Sequence, residues 1–379
     1  MAATQPACLI IADISGYTSY LAGVELDHAQ DILADLMNTV VKGLRPSFKL
    51  AKLEGDAAFS YAITNEVDGS MLLDTAETCY FAFRNRLLSI RQATSCECNA
   101  CSLIPALNLK IVAHHGQVGT QRIAGRSELV GSDVIVIHRL LKNSISEPAY
   151  LFITDSCMAK TELEPTQLGL RRHVEDFEHV GKIGGWIEDL EAAWKSYRDQ
   201  KRVYVSEGEA GLAFSGFVPA PPELVWEFIS SPLLRPKWSI GISRIDQLDP
   251  SGRRRPGTLN HCMHGEDVIL QEFLDWRPPR YYTSRVTMPD GLKIVSTHEV
   301  EPAEGGSLIH DRFLAPKGKK AIATFQMLRE MFTAAFPAEL TRLIEVVGES
   351  MTSASPEPPP EPELPVPDES KRLATSVRA

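Results

Sequence analysis

The sequence lacks the features that would place a protein in a membrane, on nucleic acid or outside the cell. No apolar run approaches the ~18 residues of a membrane span. Residues 1–15 contain neither a basic n-region nor a small-residue cleavage site, so no signal peptide is expected. Lys and Arg total 39 against 49 Asp and Glu, and the net charge of −10 gives no overall attraction to nucleic acid or an anionic surface. The one dense basic run, Arg253-Arg254-Arg255, is too short to change that and reads as a solvated turn. Cysteines number only seven, an odd count with no export signal, so a reduced, cytoplasmic protein is the expectation.

What is present is a globular composition, 44% apolar and 23% charged, in 379 residues. That length exceeds one ordinary core and implies two domains. Composition shifts divide the chain into a first domain at 5–195, a polar linker at 196–209, a second domain at 210–348 and a tail at 349–379. The tail is rich in Pro and Glu and nearly free of large apolar groups, so it cannot offset its ordering entropy and is expected to be disordered.

Within the first domain, Ala7 to Ile14 form a short apolar run with the character of a central strand. Leu26, Leu33, Leu36, Met37, Val40 and Leu44 recur at helical steps. Lys49 to Ala62 read as two strands turning at Glu54-Gly55-Asp56. A helix over 71–92, a strand over 107–114 and a helix over 134–142 follow, which makes the domain α/β or α+β with a mixed sheet. The second domain opens with a strand at 212–218 and a Pro-initiated helix at 223–229. Five strand-like runs come next, then a long helix carrying Phe325, Leu328, Phe332, Phe336, Leu340, Leu343 and Val347, with Pro337 inside it. Met327, Met331 and Phe332 read as core.

Two carboxylates stand where a cation could meet them. Asp13 ends the buried strand and Asp56 sits at the hairpin tip; if the strands are neighbours, both reach one sheet edge. Hard oxygen ligands suit Mg²⁺ completed by water and phosphate, and the backbone around Gly16 can offer N–H groups to a phosphate. Asp also serves simply as a turn or cap residue at such positions. Cys96, Cys98 and Cys101 form a C-x-C-x-x-C cluster able to converge on Zn²⁺, with His114, His115 or a distant Cys as fourth ligand. Redox chemistry through Cys98 and Cys101 and a loop that is merely Cys-rich are the competing readings. On a strand, His114 and His115 point to opposite sides. His138, His173 and His179 read as packing residues, and Cys8, Cys79 and Cys157 as small buried hydrophobes.

The run Ile11-Ala12-Asp13-Ile14-Ser15-Gly16-Tyr17-Thr18, followed by Lys52-Leu53-Glu54-Gly55-Asp56-Ala57, resembles the two metal-binding motifs of class III nucleotide cyclases. Residues 112–116 look like that family's strand before its variable region, and 131–140 resemble its signature helix. The resemblance covers about half the chain and implies a ferredoxin-like α+β domain that binds a purine nucleoside triphosphate with Mg²⁺ or Mn²⁺ as a homodimer. It implies Asp13 and Asp56 as the metal pair, with Ile14, Gly16, Tyr17 and Thr18 around the nucleotide. Lys52 and Glu128 would read the purine, Arg139 would stabilise the transition state, and Lys182 would bind phosphate across a one-residue gap. The family's helix carries an Asn four residues before its Arg, and Ile135 stands there instead. An aliphatic side chain cannot orient a ribose, so binding is better supported than turnover.

In the second domain, Phe214 to Val218 leading to Pro221-Pro222-Glu223-Leu224-Val225-Trp226, then Lys237-Trp238, resembles the opening of START-like or polyketide-cyclase-like (SRPBCC) proteins. That resemblance implies an antiparallel helix-grip fold with an apolar cavity for a lipid, polyketide or other hydrophobic small molecule. His261, His264, His298, His310 and Arg312 are the polar groups available to such a cavity, and no pair of them has a spacing that demands acid–base catalysis. The functional expectation is a nucleotide-cyclase-like signalling protein coupled to a hydrophobic-ligand domain. The alternative is an inactive cyclase-like scaffold whose role is ligand binding by the second domain.

Overall fold

The computed structural model describes all residues except 1–3, 23–25, 46, 94–102, 124–125, 179, 201, 290 and 354–379. The Cys96/Cys98/Cys101 cluster, His179 and most of the expected tail therefore lie outside the described residues. Among those described, two sheets divide the chain.

The first sheet is built from β1 (Gln5–Ser15), β2 (Lys49–Glu54), β3 (Ala57–Ile63), β4 (Asn108–Ile123), β6 (Tyr150–Thr154), β7 (Arg171–Phe177) and β8 (Gly181–Asp189). Its order is β2-β3-β1-β4-β6-β8-β7, and β5 (Arg126–Val130) pairs with the far end of β4. The first four strands, with α1 (Tyr17–Ala22), α2 (Leu26–Leu44) and α3 (Gly69–Ala93) in the connections, follow the βαββαβ order of a ferredoxin-like fold. Only β4 and β6 run parallel, so the sheet is mixed, as expected.

Both faces of this sheet are covered, which explains the unbroken burial of Ala7 to Ala12 in β1. Residues facing one way, such as Cys8, Ile10 and Ala12, pack with α2, α3 and α6 (Leu190–Asp199). Residues facing the other way, such as Leu9 and Ile11, pack under Val134, Ile137 and Leu140 of α4 (Ser132–Leu140). A short helix, α5 (Asp155–Met158), follows β6. Cys8, Cys79 and Cys157 are buried as small hydrophobes.

The second sheet is antiparallel throughout: β10 (Arg244–Gln247), β11 (Leu259–His264), β12 (Asp267–Arg277), β13 (Tyr281–Thr287), β14 (Lys293–Ala303), β15 (Gly306–Leu314) and β9 (Ala210–Val218), in that order. Helices α7 (Pro222–Ser230) and α8 (Lys319–Ser353) cover it, giving the helix-grip arrangement. Helix α8 contains Pro337 and continues to Ser353, past the tail boundary expected at 349. Met327 and Met331 are exposed rather than core, because the sheet takes up the face carrying Phe325, Leu343 and Val347.

Of the Arg253-Arg254-Arg255 turn only Arg255 is solvated, beside Asp249 of its own domain; the other two arginines are not. They insert between the two domains, where Arg253 meets Glu77 at 2.5 Å, Glu188 at 3.3 Å and Asp74 at 3.7 Å. Arg254 is 3% exposed and pairs with Asp68 at 3.0 Å. Trp276 Nε1 donates to Asp74 Oδ2 at 2.9 Å, and Arg277 donates to the Tyr197 and Gln200 carbonyls. Charge run and composition alone could not reveal these partners, since the carboxylates that meet Arg253 and Arg254 come from the other domain.

Ser47 of the first domain donates to Glu227 of α7 at 2.5 Å. Burial raises the Glu227 carboxyl from 4.5 to about 7; the Ser47 hydrogen bond opposes that shift and the charge of Asp68 adds to it. Between pH 4.5 and 7 the unfolded chain ionises this group while the folded chain keeps it protonated, so stability falls as pH rises through that window. Glu227→Gln keeps the acceptor and cannot ionise. Its stability relative to wild type should grow from near zero at about pH 4.5 to at most about 3 kcal/mol above about pH 7, read by denaturant unfolding. A difference independent of pH would contradict this account.

Candidate functional site

The first site is a pair of carboxylates on the edge of the mixed sheet. β1 and β3 pair with Asp13 opposite Ala57, and the Ile14 N–H donates to the Asp56 carbonyl at 3.0 Å. The hairpin turns at Gly55 with φ +64°, which delivers Asp56 to the end of β1. The Asp13 carboxyl is raised to about 6, first by burial and then by the charge of Asp56, with Lys110 across the strand pair opposing. Two repelling carboxylates at one sheet end, with no ion pair among the described residues to neutralise them, form an oxygen donor set that fits a hard divalent cation.

Around this pair, Ile14 is buried with its N–H engaged by the Asp56 carbonyl, and Tyr17 packs against the core. Gly16 has φ +85° and its Cα faces the Ala106 carbonyl so closely that a Cβ would stand 2.9 Å away, so the turn demands glycine. Thr18 lies in α1, and its side chain is outside the described residues.

The other residues of the cyclase resemblance do not join the carboxylates within one chain. Lys52 ion-pairs with Glu54 at 2.5 Å, and Glu54 meets His138 of α4 at 2.8 Å. The neighbouring Arg139 donates to the Glu178 carbonyl at 3.0 Å, in the turn before β8. Lys182, the second residue of β8, is exposed. No hydrogen bond or ion pair among the described residues links Asp13 or Asp56 to Arg139 or Lys182. Glu128 stands opposite Gln121 on β4, whereas Lys52 shares a cross-strand row with Val112. Nine residues of strand between those rows span roughly 30 Å, so one chain does not bring Lys52 and Glu128 together. Ile135 is 57% exposed on α4, one turn before Arg139.

His114 is buried with both ring nitrogens engaged: Nδ1 with Thr154 Oγ1 at 3.0 Å and Ser156 Oγ at 3.1 Å, Nε2 with Asp133 Oδ1 at 3.2 Å. Such a ring has no nitrogen to spare for zinc. His115 points the other way, to the Thr64 carbonyl at 3.0 Å. Among the described residues no group of three or more His, Cys, Asp or Glu is placed to hold a metal.

The second site is a cavity of about 450 Å³ between α8 and the antiparallel sheet. Its walls are apolar, with Phe214, Ile229, Phe313 and Phe332 among them. His264 and His298 line it; His261, His310 and Arg312 do not. Strand alternation decides this, because Ile309, Asp311 and Phe313 of β15 face inward and their neighbours outward. His310 thus bonds Ser215 Oγ at 2.7 Å and Arg312 pairs with Glu299 at 2.5 Å on the far face.

Several polar side chains in the cavity escaped the sequence reading, Ser296, Asp311 and Arg235 among them. His298 Nδ1 lies 2.6 Å from Asp311 Oδ1, and His298 Nε2 lies 3.0 Å from Ser296 Oγ. Tyr282 stacks on the imidazole at 4.8 Å. Arg235, from the turn after α7, lines the same space; its Nη1 reaches Gln271 Oε1 at 3.5 Å, and its buried Nε has no partner among the described residues. A signal for the histidine pairing did exist. The turn at Glu304-Gly305 sets Ala303 opposite Gly306, and counting back places His298 opposite Asp311.

Comparison with known proteins gives the chain its relations. Residues 33–150 match the model of a protein family of unknown function (DUF2652), and residues 213–348 match the family described as polyketide cyclase / dehydrase and lipid transport. Among solved structures, the adenylyl cyclase CyaB from P. aeruginosa is 14% identical, covering 50% of this chain and 96% of that one with a TM-score of 0.34. Protein MLL2253 from Mesorhizobium loti is also 14% identical, covering 37% of this chain and 97% of that one with a TM-score of 0.31. The uncharacterized protein Rv2561/Rv2562 of Mycobacterium tuberculosis is 35% identical over 158 residues, 42% of this chain and 73% of the relative. With that identity across most of the relative's length, the chain belongs to the same family as the mycobacterial protein Rv2561/Rv2562.

Proposed function

We propose that the protein is a ligand-responsive signalling protein in which the C-terminal cavity takes a hydrophobic small molecule or lipid. The observation that carries this reading is the cavity itself: about 450 Å³, apolar walls and a few convergent polar groups, the ordinary anatomy of a small-molecule site. The match to a polyketide cyclase and lipid-transport family over the same residues supports it.

The N-terminal domain, in this reading, binds a purine nucleoside triphosphate through Mg²⁺ or Mn²⁺ held by Asp13 and Asp56. The metal would neutralise phosphate charge beside the backbone of residues 14–18. Lys52, Glu128, Arg139 and Lys182 are the remaining nucleotide contacts. Because these groups do not meet the carboxylates in one chain, the complete site calls for a second copy, which accords with a homodimer. Zinc, if bound, belongs to Cys96, Cys98 and Cys101 without His114. The docked domain interface around Arg253 is the route by which ligand in one domain would bias the other.

The second reading, a binding scaffold without turnover, is favoured by Ile135. Its side chain offers no hydrogen bond at the position from which the ribose would be oriented.

Three outcomes follow. Ala335 lines the cavity from α8, so Ala335→Trp should weaken uptake of a fluorescent fatty-acyl probe about tenfold or more while thermal stability holds. Unchanged binding would place the probe elsewhere. Calorimetric titration with Mn²⁺ and ATP or GTP should show binding that Asp13→Asn weakens about tenfold or more; no heat with wild type and either nucleotide would sink the nucleotide reading. If the site is a silenced cyclase, Ile135→Asn should raise cyclic nucleotide measured by mass spectrometry. Nucleotide bound by both forms with no product from either would leave the scaffold reading.

A further inference from the structure

We propose that the C-terminal cavity is also a hydrolytic site, with Ser296 as nucleophile, His298 as general base and Asp311 as its orienting carboxylate, acting on carboxylic esters of apolar acids. This rests on the reading of the cavity as a small-molecule site and adds a reaction to it. All three side chains line the cavity.

The connectivity is what the chemistry requires. An ionised carboxylate only accepts hydrogen bonds, so His298 Nδ1 donates to Asp311 Oδ1 across 2.6 Å. In the neutral imidazole Nε2 is then the acceptor, and it faces the Ser296 hydroxyl at 3.0 Å. A serine, a base and an orienter in this sequence of contacts is recognised by geometry and role, not by chain order. The sheet holds it in place. Ser296 and His298 are two residues apart on β14 and share a face, and Asp311 is the cross-strand partner of His298 on β15. Tyr282 stacks on the imidazole with 28° between the rings, which limits its rotation.

Charge stabilisation comes from Arg235. Its side-chain hydrogen bond to Gln271 is long, and its buried Nε has no partner among the described residues, so it has donors left to offer. Gln271 Nε2 donates to Ser284 Oγ at 3.1 Å, and Ser284 is the cross-strand neighbour of Ser296. Arg235 therefore belongs to the same polar row as the nucleophile, in a largely apolar space where a fixed charge acts strongly on a developing oxyanion. Asp311 and Glu339 are the acidic groups around it.

The reaction balances with water as co-reactant. Ser296 Oγ adds to the ester carbonyl carbon while His298 Nε2 takes the hydroxyl proton. The carbon–oxygen bond to the alcohol breaks, and the alcohol leaves with that proton. Water then adds to the acyl carbon and gives a proton to His298. The bond to Oγ breaks, Ser296 recovers its proton, and the carboxylic acid departs.

The test uses the full chain with an alkyl fluorophosphonate and p-nitrophenyl acyl esters, alongside the fatty-acyl probe. The proposal expects a phosphonyl adduct mapped by mass spectrometry to Ser296, absent in Ser296→Ala, and ester turnover at least ~100-fold slower in Ser296→Ala and in His298→Gln. Both variants should keep the wild-type melting temperature, which reports that the fold survives. Probe uptake with no adduct and no turnover overturns the triad and leaves the binding reading intact. An adduct on another serine, or turnover unchanged in Ser296→Ala, also overturns it. Failure of wild type to take up the probe overturns the cavity reading and the hydrolytic site with it.

Discussion

The architecture depends on one buried guanidinium. Arg253 sits between the domains with Glu77, Glu188 and Asp74 around it. Burial raises Glu188 well above its ordinary range, and the neighbouring charge of Glu77 adds to the shift. A charge taken out of water costs several kcal/mol unless partners and hydrogen bonds replace its hydration. All three partners come from the other domain, so neither half of the cluster is satisfied without the other. Arg254 with Asp68, and Trp276 with Asp74, extend the same dependence. Two sheets that could have been joined only by a linker are in this way one docked body.

That docking ties the cavity to the N-terminal domain through the aromatic residues beneath it. Trp276 stacks at 5.8 Å on Tyr282, which lines the cavity and in turn stacks on His298. The Trp276 ring nitrogen is hydrogen-bonded to Asp74 at the interface. A contiguous set of packed side chains thus runs from Arg253's carboxylates to the polar groups of the cavity. Close-packed interiors transmit displacement because they have little void to absorb it.

Much of the fold was legible from local pattern. The Asp13 strand, the Gly55 hairpin, the helical spacing of Leu33 to Leu44 and the apolar face of α8 all appear where periodicity and turn chemistry put them. The carboxylate edge was legible too, because β1 and β3 had only to be neighbours for Asp13 and Asp56 to meet. The exposure of Met327 was not, since several registers of α8 on the sheet suit the same apolar spacing. The Arg253 turn was misread because a short basic run looks the same whether water or buried carboxylates surround it. In the cavity, a list of histidines gave no acid–base pair, since Asp311 and Ser296 have ordinary sequence contexts and become significant only by facing His298.

The sequence by itself determined the elements, their order and the residue types that can bind metal, phosphate and apolar ligand, because those follow from short-range periodicity and side-chain chemistry. Tertiary structure decided which of them meet. It joined Asp13 to Asp56 and His298 to Ser296 and Asp311, engaged both nitrogens of His114, and kept Lys52 and Glu128 apart. The physical reason is that hydrogen bonds and ion pairs act over a few ångströms, and only the register of paired strands and the docking of domains bring distant residues within that range.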